Sequence, residues 1–261
     1  MKRFKVFASF HPFLFAMILV FISLFLIAIA YLWGVLFPCS ELNQYIGQSI
    51  IQLVSTLFLI FILWRFRWLR ASGFTSIGRG QSWMIIILPL IYVLAKDIYL
   101  TTGDFSFELS HPSLIFWLGL SSLTTGLFEE ILFRGVVLFS FLLLWDHSRS
   151  GITKSISVAA LLYGGIHILQ LVENPVPQTL LTMLTAVLAG FFYGVILLHG
   201  GSIWISIVFH GLHNAVVNLN IVGKNAAETP PISFFILLTY IPVFLLGICL
   251  LKKIRQINAQ R

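Results

Sequence analysis

Charge is what this sequence has least of. Of its 261 residues 10% are charged and 9 are acidic, against 59% hydrophobic residues and a mean hydropathy of +0.99. A soluble globular domain carries roughly 25% charged residues, so that class is excluded. Cysteine is scarce too: Cys39 and Cys249 lie far apart in the chain, which excludes a disulfide framework and any Cys-based metal motif. The apolar segments do not alternate with polar residues, which excludes the strands of a membrane barrel. There is no Gly-x-Ser-x-Gly, no His-Glu-x-x-His, no internal repeat and no low-complexity linker. These absences argue in turn against a serine nucleophile elbow, a zincin site and a repeat-built transporter.

What remains is a series of apolar runs long enough to cross a bilayer as helices, about eight of them at the usual 17 to 25 residues. The expected fold is an all-α integral membrane protein, a bundle of about eight transmembrane helices in a single polytopic domain over residues 1–261. The basic start and the apolar run from Pro12 to Phe37 resemble a signal peptide. The run is too long for one and no small-residue cleavage site follows, so a retained first span is expected.

The net charge of +7 is not a nucleic-acid signal, because of where it sits. Lys2, Arg3 and Lys5 precede the first run, Arg65, Arg67, Arg70 and Arg79 follow the second, Arg149 and Lys154 the fourth, and Lys252, Lys253 and Arg255 the last. Alternate boundaries are basic, which the positive-inside rule reads as cytoplasmic, both termini included. Anionic lipid is a sufficient partner for these flanks, and no nucleic acid is expected.

Against this background Phe128-Glu129-Glu130-Ile131-Leu132-Phe133-Arg134 stands out, inside an apolar run from Ser113 to Trp145. Residues four apart share a helix face, so Glu130 and Arg134 are expected to pair. Glu129 points about 100° away with no local cation, so it is either held neutral or finds a partner on another helix. The run exceeds a bilayer crossing, so it either tilts and projects or breaks near Gly119 or Gly126. Two further runs carry deep polar groups: Tyr163-Gly164-Gly165-Ile166-His167, and His210-Gly211-Leu212-His213-Asn214. The first, second and last spans read as plain scaffold, the third carries Lys96 and Asp97 near its outer end, and Gly190 and Gly194 in the sixth have a spacing that lets helices approach closely and makes that span a candidate lateral gate.

Intramembrane ionisable groups are a functional hypothesis by default, although each of these side chains also fits a packing role. A carboxylate with a histidine can activate water as a general base. A second histidine and an asparagine amide can donate to the oxyanion of a tetrahedral intermediate. Peptide-bond hydrolysis is therefore a coherent reaction. A zinc version would draw on Glu129, His167 and His210 as ligands, but no cofactor is favoured. A transporter using the same Glu/His cluster, and a non-catalytic membrane protein such as a bacteriocin-immunity factor, are the alternatives.

The chain resembles the CPBP family of intramembrane proteases, also called the type II CAAX prenyl endopeptidase or Abi family. Three motifs carry the resemblance, in the family's order: Glu129-Glu130-x-x-x-Arg134, Tyr163-x-x-x-His167 with Tyr in place of the family's Phe, and His210-x-x-x-Asn214. It implies a catalytic core at about 113–220, with Glu129 and His167 activating the water, His210 and Asn214 binding the oxyanion, and Glu130 and Arg134 bracing the site. Tyr163 would support His167, by packing beneath it or by a hydrogen bond. A glutamic mechanism is expected ahead of a zinc one. The implied partner is a peptide or prenylated protein substrate, since eukaryotic relatives trim prenylated tails while many bacterial relatives process peptides or confer bacteriocin immunity. A bacterial inner membrane is the expected location.

Overall fold

A computed structural model describes residues 10–36, 40–78, 80–102, 112–145, 150–172, 174–222 and 234–259. Lys2, Arg3, Lys5, Cys39, Arg79 and Arg149 lie outside the described residues. Every regular element among the described residues is helical: α1 (Pro12–Leu36), α2 (Glu41–Phe66), α3 (Gly80–Thr102), α4 (Pro112–Glu130), α5 (Phe139–Trp145), α6 (Gly151–Ile166), α7 (Val176–Gly200), α8 (Trp204–Val222) and α9 (Phe234–Ala259). A π-helical stretch, Ile131–Leu138, joins α4 to α5, and a 3-10 segment, His167–Val172, prolongs α6. Counting α4, the π stretch and α5 as one rod, the helical segments correspond in order to the expected spans.

Among the described residues four helical segments are long and apolar enough to cross a bilayer: Leu42–Phe66, Gly151–Val172, Val176–Gly200 and Leu237–Arg255. Shorter apolar stretches, Pro12–Ala28 and Trp83–Ala95, lie in α1 and α3. α4 and α8 fall outside that group because they carry the polar side chains: Ser121, Ser122, Thr124, Thr125, Glu129 and Glu130 on one, His210, His213, Asn214 and Asn218 on the other. Large apolar side chains turn outward on α1 to α3, among them Phe21, Leu57 and Leu88, each more than 60% exposed. That is an integral membrane protein's surface, with lipid in place of water as the solvent.

The fourth rod does not break at Gly119 or Gly126. It widens after Glu130 into the π stretch, all eight of whose residues are buried. π turns occur mostly as short insertions at functional sites, and this one begins one residue after the glutamate pair. It lies against α1, α2, α6 and α7, so the centre of the bundle is built around it. α4 packs mainly on α8 and α2, α6 on α7, and α7 on α9.

Two left-handed residues close the helices that flank the site. Arg67, at φ 62°, returns its N–H to the Leu63 and Trp64 carbonyls and ends α2, and Gly201, at φ 68°, does the same for Leu197 at the end of α7. The segment after α2 then folds onto the α7–α8 turn. The Ile203 N–H donates to the Gly73 carbonyl at 3.3 Å, and the Trp204 indole N–H to the Phe74 carbonyl at 2.8 Å. Gly73 sits at φ 74° with its missing Cβ 3.1 Å from the Ile203 nitrogen, so only glycine fits there. This fixes where α8 enters the bundle, and with it His210.

Candidate active site

The site exists because two glycines let α4 and α8 touch. A Cβ on Gly126 would lie 2.8 Å from the Gly211 nitrogen, and one on Gly211 would lie 2.8 Å from Leu123 Cδ2. Gly211 follows His210 directly, so the crossing delivers that imidazole to the glutamates one turn below Gly126.

Glu130 is the hub. It is fully buried, its Oε2 is 3.1 Å from Arg134 Nε, and its Oε1 is 3.0 Å from His210 Nδ1. The expected Glu130–Arg134 pair is therefore formed, as a charge contact and not an aligned hydrogen bond. Arg134 also donates from Nη2 to the Gly190 carbonyl at 3.2 Å. Its guanidinium lies between two rings, 4.5 Å from the centroid of Tyr163 and 5.0 Å from that of Tyr193. Absence of a Cβ at Gly190 is what admits Arg134 and Tyr163 there, since an added one would sit 2.8 Å from Tyr163 Cδ1. Gly194 faces Ile156 and Leu138 in the same way. These glycines face the bundle interior and serve packing on α6 and the π stretch.

Glu129 finds its interhelical partner in His210, whose Nε2 is 3.7 Å from Glu129 Oε2. At 16% exposure Glu129 is the accessible carboxylate of the pair, whereas Glu130 at 0% is sealed. The Tyr163 hydroxyl lies 3.3 Å from the same His210 Nε2. Its bond thus goes to His210; toward His167 the Tyr163 ring presents an edge contact at 5.5 Å. His167 opens the 3-10 segment, within electrostatic reach of Glu129 and His210. Its Nδ1 is 3.2 Å from Gln170 Nε2, and its buried Nε2 has no hydrogen-bond partner among the described residues.

The structure thus brings Glu129, Glu130, Arg134, Tyr163, His167 and His210 into one cluster. Asn214 follows His210 by one helical turn, half-buried on the same side of α8. His213 turns to α9 and bonds the Tyr240 hydroxyl at 3.0 Å. Sequence reasoning missed Tyr193, which stacks on His210 at 5.5 Å and 23°. The signal was available, because Tyr193 lies three residues after Gly190 and shares its face. It also missed Gln170, the polar clamp that Gln52 makes from a supposed plain span, and a second clamp between α8 and α4. Gln52 of α2 bonds Thr124 at 2.8 Å and Thr125 at 2.7 Å, and Asn218 donates to Ser122 at 2.9 Å.

Among the described residues no three His, Cys, Asp or Glu side chains are grouped to hold a metal ion. Glu130 is already engaged by Arg134 and His210.

Comparison with curated proteins gives no match, and neither does comparison with solved structures. A family model does match: that of the type II CAAX prenyl endopeptidase Rce1-like proteins, over residues 111–216. The matched segment runs from the start of α4 into α8 and contains every member of the cluster. Over residues 111–216 the chain is therefore similar to the type II CAAX prenyl endopeptidase Rce1-like family.

Proposed function

We propose that the protein is an intramembrane endopeptidase that hydrolyses a peptide bond in a membrane-tethered or membrane-proximal substrate by a water activated at Glu129 and His167. One observation carries this reading. The accessible carboxylate of the pair lies within electrostatic reach of a buried imidazole nitrogen that has no hydrogen-bond partner among the described residues. A water between the two satisfies both.

In the reaction, the Glu129 carboxylate takes a proton from water and the remaining hydroxide oxygen bonds to the scissile carbonyl carbon. The Asn214 amide, and His210 when it carries hydrogen on Nε2 as well as on Nδ1, donate to the resulting oxyanion. Collapse breaks the C–N bond, and the proton held by Glu129 passes to the leaving nitrogen, so one water is consumed and both products are neutralised. Glu130, Arg134 and Tyr163 hold His210 and keep the cluster in register. No cofactor takes part. The reading covers a single membrane domain over 1–261 with its catalytic core at about 113–220, in a bacterial inner membrane with both termini cytoplasmic, as the basic boundaries imply. Its substrate is a peptide or a prenylated protein.

The test is cleavage of farnesylated and unlipidated peptides by the purified protein in nanodiscs, comparing wild type with Glu129→Gln, each with and without a zinc chelator. Loss of a general base costs about 100-fold or more, so Glu129→Gln should fall by at least that much while wild type ignores the chelator. Undiminished cleavage by Glu129→Gln sinks the proposal, and loss of wild-type cleavage on chelation returns the reaction to a metal.

A further inference from the structure

We infer that Gln170 is a positioning residue that fixes His167 in the tautomer with hydrogen on Nε2, so that Glu129 is the base and His167 a hydrogen-bond donor to the attacking water. The inference rests on the hydrolytic reading above and divides the labour within it.

The argument begins with the local backbone. His167 to Val172 is a 3-10 segment. There, residues three apart eclipse, unlike on the α-helix that precedes it. Gln170 therefore sits over His167, and its amide nitrogen approaches the imidazole Nδ1 at 3.2 Å. An amide nitrogen only donates, so Nδ1 must accept. A neutral imidazole whose Nδ1 accepts carries its hydrogen on Nε2. That second nitrogen is buried and has no hydrogen-bond partner among the described residues. The Tyr163 ring, edge-on at 5.5 Å, limits rotation of the imidazole from the other side.

The other histidine of the site is held the opposite way. Its Nδ1 faces the Glu130 carboxylate at 3.0 Å, and a carboxylate only accepts, so His210 carries hydrogen on Nδ1. The two imidazoles are thus set by neighbours of opposite character: an amide donor for His167, a carboxylate acceptor for His210. An Nε2 that carries hydrogen has no free lone pair with which to take a proton from water, and the Nδ1 that has one faces Gln170. A carboxylate close by can take it directly, and among the cluster's carboxylates Glu129 is the accessible one. The proton lost by water goes to Glu129, and the Nε2–H of His167 holds the water's oxygen while the O–C bond forms.

The test uses protein with 15N-labelled histidine in nanodiscs, with the His167 signals assigned by a His167→Gln variant. Wild type should show Nε2 protonated and Nδ1 bare. Gln170→Glu replaces the donor by an acceptor of the same length and should move the hydrogen to Nδ1, and Gln170→Leu should leave a mixture of the two tautomers. In cleavage of a farnesylated peptide, kcat should fall about 10- to 100-fold in both variants, the usual loss when an outer partner of a functional histidine is removed, with KM little changed. A residue that served packing alone would lower thermal stability and leave the nitrogen signals where they were. Nδ1 protonated in wild type, or a tautomer indifferent to both substitutions, would overturn the inference. The nitrogen signals are read without substrate, so this failure is distinct from failure of the hydrolytic reading, which Glu129→Gln tests.

Discussion

Gly126 of α4 and Gly211 of α8 meet backbone to backbone, with room for no side chain between them: a Cβ on the first would lie 2.8 Å from the nitrogen and 3.0 Å from the Cα of the second. Backbone cannot rotate out of the way as a side chain can. Gly126→Ala should therefore push the helices apart, cost about 1 to 3 kcal/mol as overpacking does, and withdraw His210 from Glu130. Gly119→Ala is the control on the same helix, because nothing lies within 4 Å of its added Cβ. There the better helix propensity of alanine should leave stability equal or raise it by about 0.5 to 1 kcal/mol. Thermal unfolding in detergent, followed alongside peptide cleavage, separates the two. Equal behaviour of the variants would mean that the close crossing is not what assembles the site.

Gln52 offers the converse case, stability without chemistry. Its amide receives the Thr124 hydroxyl through Oε1 and donates to Thr125 through Nε2, tying α2 to α4. Interhelical hydrogen bonds in membranes average about 0.6 kcal/mol each, so Gln52→Leu should cost roughly 1 kcal/mol. Both threonines also donate to the Ser121 carbonyl, which keeps them satisfied after the change. Unfolding should be easier by that amount and kcat unaltered, and a tenfold loss of kcat with stability intact would move Gln52 into the functional part of the bundle.

How much of this was legible in the sequence follows from how each contact is made. The Glu130–Arg134 pair was, because it is local and obeys the four-residue helix spacing. The helical class and the clustering of Glu129, His167 and His210 were also legible, since polar groups in apolar runs must find one another. The His210–Glu130 bond spans 80 residues and depends on a glycine crossing whose two members look, one at a time, like helix breakers. Tyr163 was read with His167 because they lie one turn apart, yet its hydroxyl reaches His210 on another helix. The π stretch has no marker in Ile131-Leu132-Phe133-Arg134-Gly135-Val136-Val137-Leu138 that distinguishes it from an ordinary apolar helix. Gln170 was invisible because its meaning comes from the change of helix type at His167.

Arg134 should be more costly to remove than any polar residue around it. Its guanidinium neutralises a carboxylate with no exposure at all, caps the Gly190 carbonyl and fills the space between two tyrosine rings. Breaking one side of a buried ion pair costs about 3 to 5 kcal/mol, because the other charge is left without compensation. Arg134→Met should show that full loss. Glu130→Gln together with Arg134→Met should lose less than the two separate changes added, since neither then strands a charge. A double-mutant cycle on unfolding in detergent measures the difference, and strict additivity would mean the two charges do not stabilise one another.

Tyr163→Phe isolates a single hydroxyl. The ring stays, and with it the 4.5 Å contact to the Arg134 guanidinium, the edge contacts to Phe133 and His167, and the close fit against Gly190. What goes is the 3.3 Å bond to His210 Nε2. His210 keeps its bond to Glu130 and its stack on Tyr193, so its position should hold. A neutral hydrogen bond is worth about 1 kcal/mol net, which corresponds to roughly a fivefold fall in kcat, with the melting temperature nearly unchanged. Persistence of activity also agrees with the Phe that the family motif carries at this place. Tyr163→Ala removes the ring as well and should behave like a core truncation, about 3 to 5 kcal/mol less stable. The comparison that decides the role of the hydroxyl is with Glu129→Gln. A loss in Tyr163→Phe as large as in that variant would make the phenol a reacting group, whereas a few-fold loss leaves it as the residue that orients His210 toward Glu129.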